Sequence, residues 1–253
     1  MKHLFSLLLC LGLVLLAGTA LATDVAAGST RDEVAAGVTI ENNYGTINKV
    51  TGGTVVNNYG TIKYVNSGAV TNNKSDGVIE YFQATNGTLT SNAGTVKYAK
   101  LGTIKTNEKG GVIQQVDGEL VLNTNNGTIS ELYYGRVETN AESGTIETVQ
   151  ANGIVGTNNG KIGLLRGTLD KPNYGTIDTA TDGAALGSNI NYGTIGTCNI
   201  SLTSNCGSID ILGSGKTVTT NYGTIGENRG TVTTNQHLDS YTCQITLNLG
   251  TVT

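Results

Sequence analysis

Residues able to do acid–base, nucleophilic or metal chemistry are few and scattered in this chain. Beyond residue 22 there is one histidine, His237, and three cysteines, Cys198, Cys206 and Cys243. A catalytic nucleophile needs a base within hydrogen-bond reach, and a metal needs several ligands at defined spacing. The sequence has no Gly-x-Ser-x-Gly and no CxxC, and its carboxylates are dispersed. Asp178 and Asp210 share a repeat column but stand two repeats apart with Gly196 between them, so they form no obvious acid–base pair. The expectation is a non-enzymatic protein with no cofactor and no metal. In an oxidising compartment three cysteines imply one disulfide and one remaining thiol. Cys198–Cys206 is the candidate bridge, stapling the shortest and least regular repeat, with pairings to Cys243 as the alternatives.

The other candidates for chemistry are rows of hydroxyls and aromatic rings. One residue after a recurring glycine stand Thr46, Thr61, Thr95, Thr128, Thr145, Thr176, Thr194 and Thr224, with Ser208 a near match. Val78, Val112 and Lys161 interrupt that row, and a looser second row holds Thr54, Thr88, Thr103, Thr168 and Thr231. Four residues after the glycine, Tyr64, Tyr81 and Tyr98 occupy successive repeats. Such rings can stack on one another or bed the faces of sugar rings. Beside them Lys63, Glu80 and Lys97 alternate in sign, so neighbouring rungs attract.

Something must hold these residues in rows, and a repeat does so. Asn42-Asn43-Tyr44-Gly45-Thr46-Ile47 returns intact at 57–62, and Asn-Tyr-Gly-Thr-Ile recurs at 173–177, 191–195 and 221–225. Aligning the glycines gives a series at 45, 60, 77, 94, 111, 127, 144, 160, 175, 193, 207 and 223, a mean step of about 16 residues. Two positions after each glycine the residue is always Ile or Val. Three further on it is apolar in every repeat but the last, which has Asn228. Short strands alternate their side chains, so the Ile column faces inward and the Thr column outward. Strands of three or four residues between Gly and Asn turns wind into a coil whose strands pair with those of the next coil. One coil buries too few aliphatic side chains to offset its own chain entropy, so only the stack is stable. Two residues before the glycine stand Asn43, Asn58, Asn92, Asn125, Asn158, Asn173, Asn191, Asn205 and Asn221, which reads as an Asn ladder. Ser75, Lys109 and Glu142 are its exceptions.

The fold class is therefore all-β: a single-domain parallel β-solenoid of about 12 coils with roughly 16 residues per coil. With 36 Gly, one Pro, no Trp and two Phe, the composition suits this better than an ordinary globular core. Residues 1–22 read as a signal peptide: Met1-Lys2-His3, an apolar run from Leu4 to Leu16, and Ala20-Leu21-Ala22 at the cleavage site. No later stretch is apolar enough to span a bilayer. Residues 23–36 are assigned as an N-terminal cap, where Thr30-Arg31-Asp32-Glu33 fits a capping box and predicts one helical turn over 29–36. The repeats occupy 37–232, and 233–253 is a C-terminal cap or an assembly strand.

Across 37–232 the chain resembles the short-repeat β-solenoid passengers of bacterial adhesins and other exported surface proteins, in architecture and composition. That resemblance implies adhesion or matrix scaffolding at the cell surface or outside the cell, and it transfers no functional residue. The Thr row resembles the ice-binding face of antifreeze proteins, although the paired Thr-x-Thr motif of those faces is absent outside isolated stretches. The expected function is a secreted structural or adhesive rod able to join end to end with itself, with ice binding as the alternative. Its partners would be its own ends, a cell-surface glycan or an ice surface. A net charge of −4 leaves no basic footprint for nucleic acid.

Overall fold

A computed structural model describes residues 23–236 and 243–253, so the signal peptide assigned to 1–22 and His237 lie outside the described residues. The described chain is a parallel β-solenoid of about 14 turns of roughly 16 residues, with almost no helix. Every strand pairing among the described residues is parallel, and the inward columns stay aligned from coil to coil while the register shifts at several second junctions. In one representative pair, Thr46 lies beside Thr61, Ile47 beside Ile62, Val50 beside Val65, Val55 beside Val70, and Asn58 beside Asn73.

Each coil has two strand segments. The first carries the Ile column and the second carries a Val, Leu or Ile followed by the ladder Asn. In Thr46–Asn58 the chain runs through both segments as one strand of 13 residues, and the buried positions are Ile47, Val50, Gly53, Val55 and Asn58. The spacing from Ile47 to Val50 leaves two outward residues between inward ones, where an ordinary strand leaves one. The segment thus bends around the core, which is how three or four side chains per coil suffice to fill a narrow interior. Ile47, Ile62, Ile79, Val96, Ile113, Ile129, Ile146, Ile162, Ile177, Ile195, Ile209 and Ile225 are all fully buried.

Both ends differ from expectation. Residues 30–34 form no helical turn: Thr30–Val34 is a strand paired with the next coil, Thr30 beside Thr46 and Val34 beside Val50. The capping-box spacing is satisfied by chance there, because Val34 enters the same inward column as Val50 and the ladder outcompetes a lone helical turn. At the other end Gln244–Asn248 and Thr251–Val252 rejoin the stack against 224–228 and 231–232. These two coils raise the count from about 12 to about 14. At about 4.8 Å per rung the rod is roughly 60–65 Å long.

Candidate binding surfaces

The two junctions between strand segments set what the outside of the rod can display. The Asn junction is the more constrained. Asn43, Asn58, Asn73, Asn92, Asn107, Asn125, Asn140, Asn158, Asn173, Asn191, Asn205 and Asn221 are all at most 1% exposed. Each donates its side-chain Nδ2–H to the Oδ1 of the next at 2.7–2.9 Å, and the series ends on Asn235. The second amide hydrogen goes to a backbone carbonyl, as from Asn43 to Thr61 O at 3.3 Å and from Asn125 to Thr145 O at 3.2 Å. Buried amides are costly unless satisfied, and repetition at the rung spacing satisfies them inside the ladder, while Asn43 Oδ1 at its first rung accepts no bond.

The ladder has none of the three gaps expected at Ser75, Lys109 and Glu142. In those coils the turn is two residues longer, and Asn73, Asn107 and Asn140 take the inward place. The extra residues are absorbed by a local turn in which Gly77 N–H donates to Lys74 O at 2.8 Å. In the short form the junction is tight: a Cβ on Gly60 would stand 2.1 Å from Gly45 O, and one on Gly193 2.0 Å from Gly175 O. Glycine is required there by close approach of successive coils, and not by a left-handed φ.

Asn228, the one polar residue in the second inward column, is fully buried and bonded in the same way. Its Nδ2 donates to Asn248 Oδ1 at 2.7 Å and its Oδ1 accepts from Gly230 N–H at 3.0 Å. Asn228-Arg229-Gly230-Thr231 and Asn248-Leu249-Gly250-Thr251 are Asn-x-Gly-Thr units on the opposite side of the coil. The last two coils therefore carry an Asn junction on both sides.

The outward rows fall where the columns place them. Thr46, Thr61, Thr95, Thr128, Thr145, Thr176, Thr194 and Thr224 are half-buried and lie in one line, one per rung, with Val78, Val112, Lys161 and Ser208 in the same line. Tyr64, Tyr81 and Tyr98 stack with ring centroids 5.1 Å apart and interplanar angles of 10° and 13°. Tyr44–Tyr59 and Tyr174–Tyr192 stack likewise at the Asn junction, at 5.0 and 5.4 Å. These rings are already satisfied by each other. Lys97 meets Glu80 at 3.4 Å across one rung.

The candidate disulfide does not form: Cys198, Cys206 and Cys243 are all free thiols. Cys198 lies inside, beside Leu212 in the second inward column, whereas Cys206 sits in the tyrosine column outside the Asn junction, so the two are on different sides of the coil. Burial pushes the Cys198 thiol up to about 11, a weak bond to Ile200 O notwithstanding. Burial also raises Cys206 and Cys243, the latter against a bond from Asn221.

The second junction varies in length from coil to coil, and sequence columns give no hint of what that does. The inward-to-inward span runs from Phe82 to Leu89 in one coil, Val116 to Leu122, Leu132 to Val137 and Val149 to Val155 further on, then only Leu165 to Leu169. Where the short loop follows the longer ones, a groove of about 440 Å³ opens, lined among others by Glu119, Val121, Tyr134, Arg136, Asn152 and Ile154. Arg136 is pinned at its margin, Nε to Glu138 and Nη1 to Asp170, each at 2.6 Å.

Among the described residues no three His, Cys, Asp or Glu side chains gather as metal ligands, and no helix is long and apolar enough to cross a membrane. The fold and its interior ladder define a parallel β-solenoid with an Asn spine. No family model, no curated protein and no solved structure matches the chain.

Proposed function

We propose that this protein is a non-enzymatic extracellular structural or adhesive rod of the kind seen in adhesin passengers, and that rods join end to end. The observation carrying this reading is the pair of open ends. Among the described residues, the strands at 23–25 and 30–34 have a strand neighbour on one side alone, as do those at 244–248 and 251–252. Leu249 and Val252 at the far end are 63% and 41% exposed. Unpaired parallel edges with exposed apolar residues favour pairing with another chain. A head-to-tail contact of this kind is heterologous and does not close, so it yields filaments. The leader-like residues 1–22 support an extracellular setting.

Electron microscopy of the purified chain without its leader tests this. Filaments of single-rod width are expected, and monodisperse rods of roughly 60–65 Å would remove end-to-end joining. Incubation with a polysaccharide panel should release no product; sustained turnover would overturn the non-enzymatic reading.

Ice binding is the second reading. It is favoured by coils in which the first segment carries two outward threonines, Thr145 with Thr148, Thr176 with Thr179, and Thr194 with Thr197. Lys161 and Leu164 interrupt that patch. Thermal hysteresis at high micromolar protein would support it, and its absence would remove it.

A further inference from the structure

We propose that the groove at the second junction, centred on Tyr134 and Arg136, binds neutral oligosaccharides. The inference gives the adhesive reading a ligand class and rests on that reading.

Three observations carry it. The first is shape. The junction shortens by two residues between 149–155 and 165–169, so the later coil forms a recess beneath the wider earlier ones. Its volume of about 440 Å³ falls in the range of small-molecule sites, roughly 300–1,000 Å³.

The second is the change of chemistry in the outward row. Elsewhere the outward position of the second segment carries Thr39, Thr54, Thr88, Thr103, Thr217 and Thr231, with the small Ala69 and Ala185 in the same row and no larger hydrocarbon among these. Across the groove it carries Val121, Arg136 and Ile154 in succession, before returning to Thr168. Two β-branched hydrocarbons replace hydroxyls on a surface that faces water, which costs solvation unless something apolar covers them. Tyr134 supplies the aromatic wall. It is 44% exposed, and it belongs to none of the tyrosine stacks that occupy Tyr64, Tyr81 and Tyr98.

The third is the polar rim. A pyranose ring presents a C–H face and an edge of hydroxyls that both donate and accept. It is matched by a flat apolar bed with planar polar groups at its margin. Arg136, Glu119 and Asn152 are such groups. Two of the five guanidinium donors are engaged by Glu138 and Asp170, which fix the fork and leave the others for a ligand. Arg136 faces two carboxylates, with Glu119 a third on the rim, so the local charge is negative and repels polyanions.

Calorimetric titration of the full chain without its leader, using cellohexaose and chitohexaose as probes and polygalacturonate as the anionic comparison, tests the proposal. Saturable binding of at least one neutral probe is expected. Tyr134→Ala and Arg136→Met should weaken it at least tenfold with the circular dichroism unchanged, and Tyr98→Ala should leave it unaltered. Absence of binding at millimolar probe overturns the proposal. So does preferential binding of polygalacturonate, or a loss caused by Tyr98→Ala with Tyr134→Ala silent, which would place the site on the tyrosine stack. Filament formation is scored on the same variants. Filaments without sugar binding sink the groove and leave the rod intact, whereas short rods that bind sugar sink the joining and leave the groove.

Discussion

The two junctions of each coil solve the same turning problem in opposite ways. The Asn junction uses two lengths, two or four residues between the Asn and the Thr position, and its inward residue never changes from Asn43 to Asn221. The second junction places three to six residues between inward positions, and its outward residues change from coil to coil. One side is a spine in which every amide depends on its neighbours. The other is freer to vary because its inward residues are apolar in every coil but that of Asn228 and ask for no partner. Stability is concentrated on the first, and variation in surface chemistry is possible on the second.

The comparison breaks most visibly at the middle of the spine. Asn92→Ala leaves Asn73 Nδ2 and Asn107 Oδ1 without their partners, and two stranded buried groups cost about 1–3 kcal/mol each. A loss of about 3–4 kcal/mol in denaturant unfolding is expected. A loss below 1 kcal/mol would show that the ladder is ornamental.

The next effect sits where the first segment enters the second junction. The folded Cys198 thiol titrates at about 11 against an unfolded value of 9.0, because burial disfavours the thiolate. Its contribution is fully present below pH 9 and is lost as the pH rises to about 11, on the order of 2–3 kcal/mol in all. Unfolding curves between pH 8 and 11 should fall more steeply in the native chain than in Cys198→Ala, which keeps the contributions of Cys206 and Cys243. Thiol reagents at pH 8 should label Cys206 and Cys243 well before Cys198.

Gly60→Ala is expected to cost about 1–3 kcal/mol by overpacking against Gly45 O, seen as a lowered melting temperature. The smallest effect belongs to the variable side. Thr85 and Asn86 are exposed in the longest loop, and deleting both matches its span to that of Val65–Val70 in the coil before. A change within about 0.5 kcal/mol is expected, since loop closure depends only weakly on length. A large loss would erase the distinction between the junctions.

How much of this was legible in the sequence follows from which contacts are local. The Ile and Thr columns are read directly because they keep a fixed distance from the glycine. Asn73, Asn107 and Asn140 escaped that reading because a fixed offset cannot follow a turn that lengthens by two residues. The signal was present: each of these is again an Asn before a turn that ends in glycine. The terminal coils were hidden for a related reason, since Thr30–Val34 has Arg31 in place of the Ile and matches its neighbours only through Thr30 and Val34. The groove could not be found by columns at all. It arises from differences in loop length between coils, a property of neighbours in the stack and not of any one repeat.

The spine also has an electrical sense. Asn43 passes its amide hydrogen forward to Asn58, and so on toward Asn235. At the same junction the backbone points backward: Tyr59 and Gly60 N–H donate to Asn43 O, and Thr61 N–H to Gly45 O. Side-chain and main-chain dipoles therefore run side by side in opposite directions and offset one another. An α-helix accumulates partial charge at its termini as its dipoles add. At this junction each added coil brings both senses, so the side-chain dipole opposes the main-chain one instead of adding to it.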